Sequence, residues 1–255
     1  MDKIPIVTAA NERYFPGLVA LYNSYKKHCS DDFEFYAMVQ GDDALVSKVE
    51  GLGINVIGNP VIPARCFPVT KNRPVETAEV HFYRIMIPTL FEGYKKTIYI
   101  DSDSVILQSL KPLADKVYLQ PIAATESNAP LSKEIEGLGS THGFISSLMI
   151  FNHEQWFKQD ILGQCVSAMN EPPAVFYTGD QSVLNWVLMD NWYKLPADCQ
   201  PHAGHGTLYK NPIGRAYILH FLGTNPWEEI PAHLQPYPKH KLDARALWGA
   251  YGAGC

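Results

Sequence analysis

The sequence predicts an α/β fold in which a mostly parallel central sheet is covered on both faces by helices. Strand-like and helix-like segments alternate over the first 60 residues. A run of β-formers, Thr97-Ile-Tyr-Ile100, ends in two carboxylates, Asp101 and Asp103. At 255 residues, 46% hydrophobic and 18% charged, the chain is long enough to bury a full core as one domain with an appended C-terminal region. Strand, helix, strand repeated in that order demands parallel neighbours joined by right-handed crossovers.

The elements follow in order. Ile4 to Thr8 reads as a first strand, and Asn11 to Phe15 as a loop. A helix begins with Pro16 in its first turn, where Leu18, Leu21, Tyr22 and Tyr25 form one apolar face. Glu34 to Val39 is a second strand, Asp43 to Leu52 a helix and Ile54 to Ile57 a third strand. A loop spans Pro60 to Pro74, and a helix from about Glu79 to Tyr94 leads into the acid-bearing strand. Ile122 to Thr125 and Ser147 to Asn152 are further strands. His153 to about Met169 and Asp180 to Met189 are helices. Beyond Leu195, Pro, Gly and His become dense and periodicity fades, which predicts an irregular segment that wraps the sheet.

A formal net charge of −5 and an even mixture of residue types argue against a disordered or nucleic-acid-coating protein. Cys29, Cys66, Cys165, Cys199 and Cys255 contain no Cys-x-x-Cys pair, which argues against a zinc ribbon or a disulfide framework and for a reducing compartment. No apolar run approaches the roughly 18 residues of a membrane span. The expectation is a cytoplasmic protein without a membrane span or a nucleic-acid partner. Its oligomeric state is not specified by the sequence.

Asp101 and Asp103 stand at i and i+2, so an extended backbone points both the same way while Ser102 turns aside. Two converging acids are costly without a cation between them, and oxygen ligands suit a hard divalent ion. In a turn the same pair would simply be solvated. The carboxyl end of a strand is where open α/β sheets bind ligands. Val7-Thr8-Ala9-Ala10-Asn11 occupies that place on the first strand, as a nucleotide contact or a plain polar turn. Arg84, in His81-Phe-Tyr-Arg84-Ile-Met-Ile-Pro88, needs an anionic partner, either a structural carboxylate or a phosphate. His220, in His220-Phe-Leu-Gly223-Thr-Asn225-Pro226-Trp227, is a candidate third metal ligand or a core histidine, and Gly223 would let backbone approach a phosphate.

Five groups of residues in order resemble the nucleotide-sugar glycosyltransferases of the GT-A fold, and among them family 8, which includes glycogenin and bacterial lipopolysaccharide galactosyl- and glucosyltransferases. They are Thr8-Ala9-Ala10-Asn11 with Tyr14 and Pro16-Gly17; Tyr83-Arg84 through Pro88; Tyr99-Ile-Asp101-Ser-Asp103; Gly179-Asp180-Gln181 through Asn185; and His220 through Trp227. The resemblance implies a single GT-A domain over 1–255, with a nucleotide-binding half at 1–110 and an acceptor-side half and C-terminal wrap at 111–255. It implies a retaining hexosyltransferase that uses a UDP-sugar. Asp101, Asp103 and His220 would hold Mn²⁺, or Mg²⁺, with the mixed His and carboxylate set favouring Mn²⁺. Thr8, Ala9, Ala10, Asn11 and Tyr14 would hold the uridine, with Tyr14 stacking on the base, and Ser102, Gly223 and Asn225 would line the rest of the nucleotide site. Arg84 would contact phosphate or donor sugar, and Asp180 and Gln181 would face the sugar and a carbohydrate, lipid-linked or protein acceptor.

Two positions depart from the pattern. Asn225 stands where the family has a Lys that reaches the diphosphate, for which Lys210, Arg215 or Arg84 could substitute. Ile145, in Phe144-Ile145-Ser146-Ser147, replaces an amide that would touch the sugar. These changes keep open a catalytically weak, nucleotide-sugar-binding relative. Ile100-Asp101-Ser-Asp103 also matches the opening motif of haloacid-dehalogenase-like phosphatases, with Asp101 as nucleophile, although three strands precede it here. A sugar nucleotidyltransferase would carry a Gly-rich basic loop after the first strand, which Thr8-Ala-Ala-Asn11-Glu-Arg13 is not. His202 and His205 form a candidate second metal pair or a Gly-rich loop, and Trp156, Trp186, Trp192 and Trp227 are core or sugar-stacking residues.

Overall fold

The computed structural model describes residues 3–65, 67, 75–138, 141–200, 215–221, 225–230 and 239–252. The chain runs through β1 (Ile4–Ala10), α1 (Phe15–His28), β2 (Phe33–Val39), α2 (Asp43–Glu50), β3 (Asn55–Gly58), α3 (Val75–Phe82) and α4 (Ile87–Leu90). It continues through β4 (Lys96–Ile100), β5 (Ser104–Ile106), α5 (Lys111–Ala114), β6 (Ile122–Pro130), β7 (His142–Asn152), α6 (His153–Lys158) and α7 (Ile161–Asn170). The last elements are α8 (Asp180–Leu188), β8 (Tyr193–Leu195), β9 (Ile218–His220) and α9 (Lys239–Gly252). Seven strands form one sheet in the order β3-β2-β1-β4-β7-β6-β8, in which β7 alone runs against its neighbours. The predicted βαβαβ start and the mostly parallel sheet are both observed.

Successive strand residues face opposite sides, and both sides are buried, which is why the strands read as continuous apolar runs. Ile6, Phe35, Ile98 and Ile150 pack with Leu18, Leu21 and Tyr25 of α1 and Leu45 and Val49 of α2. Val7, Met38, Tyr99 and Phe151 pack on the other face with Trp156, Cys165, Val183 and Leu184. A smaller cluster joins Ala20 of α1 to Val105, Leu219, Phe221 and Ala244 of α9.

Three expected segments differ. The helix expected over 79–94 is three pieces: α3, a 3₁₀ turn at Tyr83–Met86, and α4. Pro88 lies in the first turn of α4, where its missing N–H costs nothing. The helix expected over 153–169 breaks at Asp160, whose left-handed backbone (φ 47°) lets its carboxylate cap the Gly163 amide at 3.2 Å. The segment beyond Leu195 is less irregular than expected. Ile218–His220 pairs antiparallel with β5, and α9 packs on α1. A three-residue strand and a helix with little amphipathic patterning leave almost no periodic trace.

β5 and β9 stand apart from the main sheet as a two-stranded ladder. It is tied to α1 by Ser24, whose buried hydroxyl donates to Leu21 O at 2.7 Å and accepts from the Ile106 amide at 2.9 Å. Gly17 sets the approach at the other end of α1. A Cβ there would lie 2.6 Å from the carbonyl oxygen of Ser102 and 2.7 Å from the Trp227 ring. Gly17→Ala is expected to push α1 off the Asp101–Asp103 turn and to destabilise the protein by about 1–3 kcal/mol, read as a lower urea midpoint with an unchanged slope.

Candidate active site

β4 ends at Ile100, and Asp101-Ser102-Asp103 is a tight turn into β5, not the extended continuation expected from the i, i+2 spacing. Backbone bonds fix both ends of this turn: the Asp101 amide donates to Ser147 O at 2.9 Å, and Asp103 O accepts from the Phe221 amide at 2.9 Å. Ser104 pairs with His220 in the β5–β9 ladder, so the short strand brings His220 from far along the chain to the acids. His220 Nε2 lies 3.1 Å from Asp103 Oδ1 and 3.6 Å from Asp101 Oδ2.

One ligand atom from each of Asp101, Asp103 and His220 lies within 4.8 Å of the others. That spacing lets all three reach one divalent ion at the roughly 2.0–2.6 Å bonds of hard cations. An imidazole beside two carboxylates suits Mn²⁺. These residues fit such an ion.

Arg84 sits beneath the acids on the 3₁₀ turn, buried. Its guanidinium is ion-paired with Asp101, 2.9 Å from Oδ1, and with Asp180, 3.1 Å from Oδ2. It also donates to the His81 carbonyl at 2.9 Å and to the Ser146 carbonyl and hydroxyl, each at 2.8 Å. Its carbon rests 4.5 Å from the centre of the Tyr99 ring, and the Tyr99 hydroxyl donates to Asp101 Oδ1 at 2.8 Å. Of the two partners expected for Arg84, the structure supplies protein carboxylates, Asp101 and Asp180, while its hydrogen bonds go to His81 and Ser146.

The charges answer one another. Burial pushes the Asp101 carboxyl up, but Arg84 and then His220 hold it below the ordinary carboxylate range. Burial pushes His220 down, but Asp103 and Asp101 lift it above the usual imidazole value. Tyr99, buried beside Asp101, is held well above the usual phenol value and stays a proton donor.

Asp180 and Gln181 open α8 after Gly179, whose positive φ of 64° turns the chain into the helix. Asp180 Oδ2 accepts from the Ser146 hydroxyl at 3.1 Å. Gln181 Oε1 accepts from the Ser146 amide at 3.1 Å, and its Nε2 donates to Glu134 Oε1 at 2.9 Å. Glu134 and Ser146 were not singled out from the sequence. Their neighbourhood carries no spacing signal, because Glu134 reaches α8 only through the fold. Burial lifts the Glu134 carboxyl above its ordinary range, against the hydrogen bonds from Gln181 and Ser127.

One cleft is lined by Ala9, Ala10, Asn11 and Tyr14 at the carboxyl end of β1, by Arg84, Asp101, Ser102, Asp103 and His220, and by Ile145, Asp180 and Gln181. Thr8 lies behind this wall, fully buried. Thr8 Oγ1 and Asn11 Oδ1 are buried with no hydrogen-bond partner among the described residues. Tyr14 meets Trp227 edge-on at 5.9 Å, and Trp227 rests on Trp248 of α9. Asn225, buried, donates to Glu228 Oε1 at 3.0 Å, and Arg13 pairs with the same oxygen at 2.9 Å. Trp156 is core, while Trp186 and Trp192 pack on Phe176 and Phe144. Gly223, Lys210, His202 and His205 lie outside the described residues.

Residues 5–231 match the sequence model of the family described as "Glycosyl transferase family 8". General stress protein A of Bacillus subtilis is 30% identical over 180 residues, 61% of this chain and 61% of that protein. Lipopolysaccharide glucosyltransferase WaaO of Escherichia coli is 26% identical over 186 residues, 65% of this chain and 52% of that protein. The matches thus span between half and two-thirds of these relatives' lengths. The galactosyltransferase LgtC, solved in complex with donor and acceptor sugar analogs, superposes with a TM-score of 0.70 at 17% identity, over 98% of this chain and 95% of that one. At that identity the likeness shows the fold.

Arg84→Gln keeps volume but leaves Asp101 and Asp180 facing each other without a buried cation. We expect a loss of about 3–5 kcal/mol in stability, measured by urea unfolding, and Arg84→Lys to recover only part of it because one ammonium cannot serve all the Arg84 acceptors.

Proposed function

The chain belongs to glycosyl transferase family 8, and we propose that it moves a hexose from a UDP-sugar to a hydroxyl acceptor with retention of anomeric configuration, using Mn²⁺ held by Asp101, Asp103 and His220. The observation that carries this is the Asp-Asp-His cluster at the floor of a cleft with β1 residues on one wall and Asp180 and Gln181 on the other. The 1–110 half is the nucleotide side and the 111–255 half the acceptor side. The acceptor class is a carbohydrate, lipid-linked or protein hydroxyl. No helix among the described residues is long and apolar enough to cross a membrane.

Asn11 and Tyr14 hold the uridine. Both line the cleft, and Tyr14, braced by Trp227, offers a ring to the base. Thr8, Ala9 and Ala10 are assigned to the nucleoside side and Ser102 to the phosphate side, whereas Asn225 is not among the cleft-lining residues and donates to Glu228 instead. When bound, the divalent ion supplies positive charge to the diphosphate as the glycosidic bond to phosphate breaks. In the reaction the acceptor oxygen bonds to the anomeric carbon, the bond from that carbon to the β-phosphate oxygen breaks, and the acceptor proton passes to a phosphate oxygen. Arg84 contributes by fixing Asp101 and Asp180, and Asp180 and Gln181 orient the sugar.

Front-face attack explains retention better than a covalent intermediate here. Asp180 Oδ2 is already held by Arg84 and the Ser146 hydroxyl, which dulls it as a nucleophile, and the Gln181 amide is a poor one. The phosphatase alternative needs Asp101 as an unencumbered nucleophile, yet Asp101 Oδ1 is ion-paired with Arg84 and accepts from the Tyr99 hydroxyl.

A thermal-shift screen of UDP-, GDP- and ADP-sugars, with and without Mn²⁺, tests this assignment. UDP-sugars with Mn²⁺ are expected to raise the melting temperature, by the equivalent of about 2.7 kcal/mol at a hundredfold excess over Kd. Asp103→Ala is expected to abolish the shift and Mn²⁺-dependent UDP release together. No shift with any nucleotide sugar would refute the transferase, binding without UDP release would identify a binding-only relative, and phosphomonoester turnover lost in Asp101→Asn would identify a phosphatase.

A further inference from the structure

Glu134 is a buried acid that touches Gln181 from the side away from the cleft, on a segment between β6 and β7. Its surroundings are fixed by backbone. The Glu134 carbonyl accepts from the Tyr177 amide at 2.7 Å and from the Ser182 hydroxyl at 2.9 Å, which lashes it to the start of α8. Its carboxylate receives Gln181 Nε2 on Oε1 at 2.9 Å and Asn185 Nδ2 on Oε2 at 3.3 Å, with the Ser127 hydroxyl 3.3 Å from Oε1.

The polarity of this chain of amides is dictated from one end. Asn185 Oδ1 accepts the Phe144 amide at 2.9 Å and its Nδ2 donates to the Phe144 carbonyl at 2.9 Å, so Asn185 presents an NH₂ group toward Glu134. Gly143 permits this contact, since a Cβ there would lie 2.1 Å from Asn185 Oδ1. Glu134 must therefore accept at Oε2, and as a carboxylate it also accepts at Oε1. The Gln181 NH₂ is drawn to Glu134. The Ser146 amide, a donor, demands the Gln181 oxygen on the opposite side.

We propose that Glu134 is a positioning residue: it holds the Gln181 side chain with its carbonyl oxygen, rather than its NH₂ group, turned to Ser146 and the cleft. The consequence rests on the transferase reading above. An amide oxygen beside the donor sugar presents negative partial charge where positive charge develops as the leaving group departs, and a flipped amide presents the opposite sign. Only a residue with two acceptor ends can serve both amides. Glutamine at this position, equal in size, accepts at one end and donates at the other, so it forces either a flip of Gln181 or a contact between two donors.

Two measurements on the full chain test this. Glu134→Gln is expected to lower kcat, counted per UDP-binding site from a titration with UDP and Mn²⁺, by about tenfold or more, with the donor KM within about threefold. A merely structural role would lower the number of binding sites and leave kcat per site unchanged. In the absence of any nucleotide, Glu134→Gln and Gln181→Glu are each expected to lower the melting temperature by roughly 4–8 °C. Combined in one chain they are expected to regain most of it, because an amide at 134 then donates to a carboxylate at 181. Additive losses, or an unchanged kcat per site, overturn the inference. Failure of the transferase reading registers separately, as a parent protein that neither binds UDP nor releases it, and the melting cycle, which needs no substrate, still decides the inference.

Discussion

The site depends on one buried cation. Arg84 lies where Asp101, Asp180 and Ser146 converge, and its planar fork of donors meets all three at once. Removing a guanidinium from water is costly, and here the cost is offset by two carboxylates and three further oxygen acceptors in fixed geometry. Because Asp101 belongs to the Asp-Asp-His cluster and Asp180 opens α8, this single residue ties the acid cluster to the start of that helix. Its own position is given by the break between α3 and α4, which a continuous helix would not provide.

The second constraint is topological. β1 and β4 run parallel and deliver Ala9–Asn11 and Asp101 to the same edge of the sheet. β7, the one reversed strand, enters from that edge and lays Ser146 and Ser147 beside the ends of its neighbours, so backbone that would otherwise be sheet interior lines the cleft. The β5–β9 ladder closes the remaining side with His220, and α1 and α9 support it through Ser24 and the Ala244 cluster. Each wall of the cleft is therefore mounted on regular secondary structure, the arrangement that keeps polar groups in register.

Much of this was legible beforehand because it is local. The βαβαβ opening, the acid pair after Ile100, and the Asp180-Gln181 start of a helix depend on periodicity and on neighbours a few residues away. Helix breaks at Pro88 and Asp160 were harder, since a proline at a first turn and a left-handed aspartate both leave the apolar stripe nearly continuous across the break. α9 and β9 left little signal because a short strand and a weakly patterned helix are specified by what they pack against. Arg84 was visible as a lone cation needing an anion. That carboxylates of the protein pair with its charge depended in part on the placement of Asp180, nearly a hundred residues away.

The sequence by itself determined the alternating α/β architecture, the position of Asp101 and Asp103 at a strand's end, and the candidacy of His220, since strand and helix periods and residue chemistry are written in consecutive positions. Tertiary structure alone decided that the two aspartates sit in a turn, that Arg84 ties Asp101 to Asp180, and that Glu134 meets the Gln181 side chain. Those facts rest on hydrogen bonds and ion pairs between residues far apart in the chain, such as Ser146 with Asp180 and Asp101 with His220. No local pattern encodes such contacts. They exist only once the sheet has brought the carboxyl ends of β1, β4 and the reversed β7 to one edge.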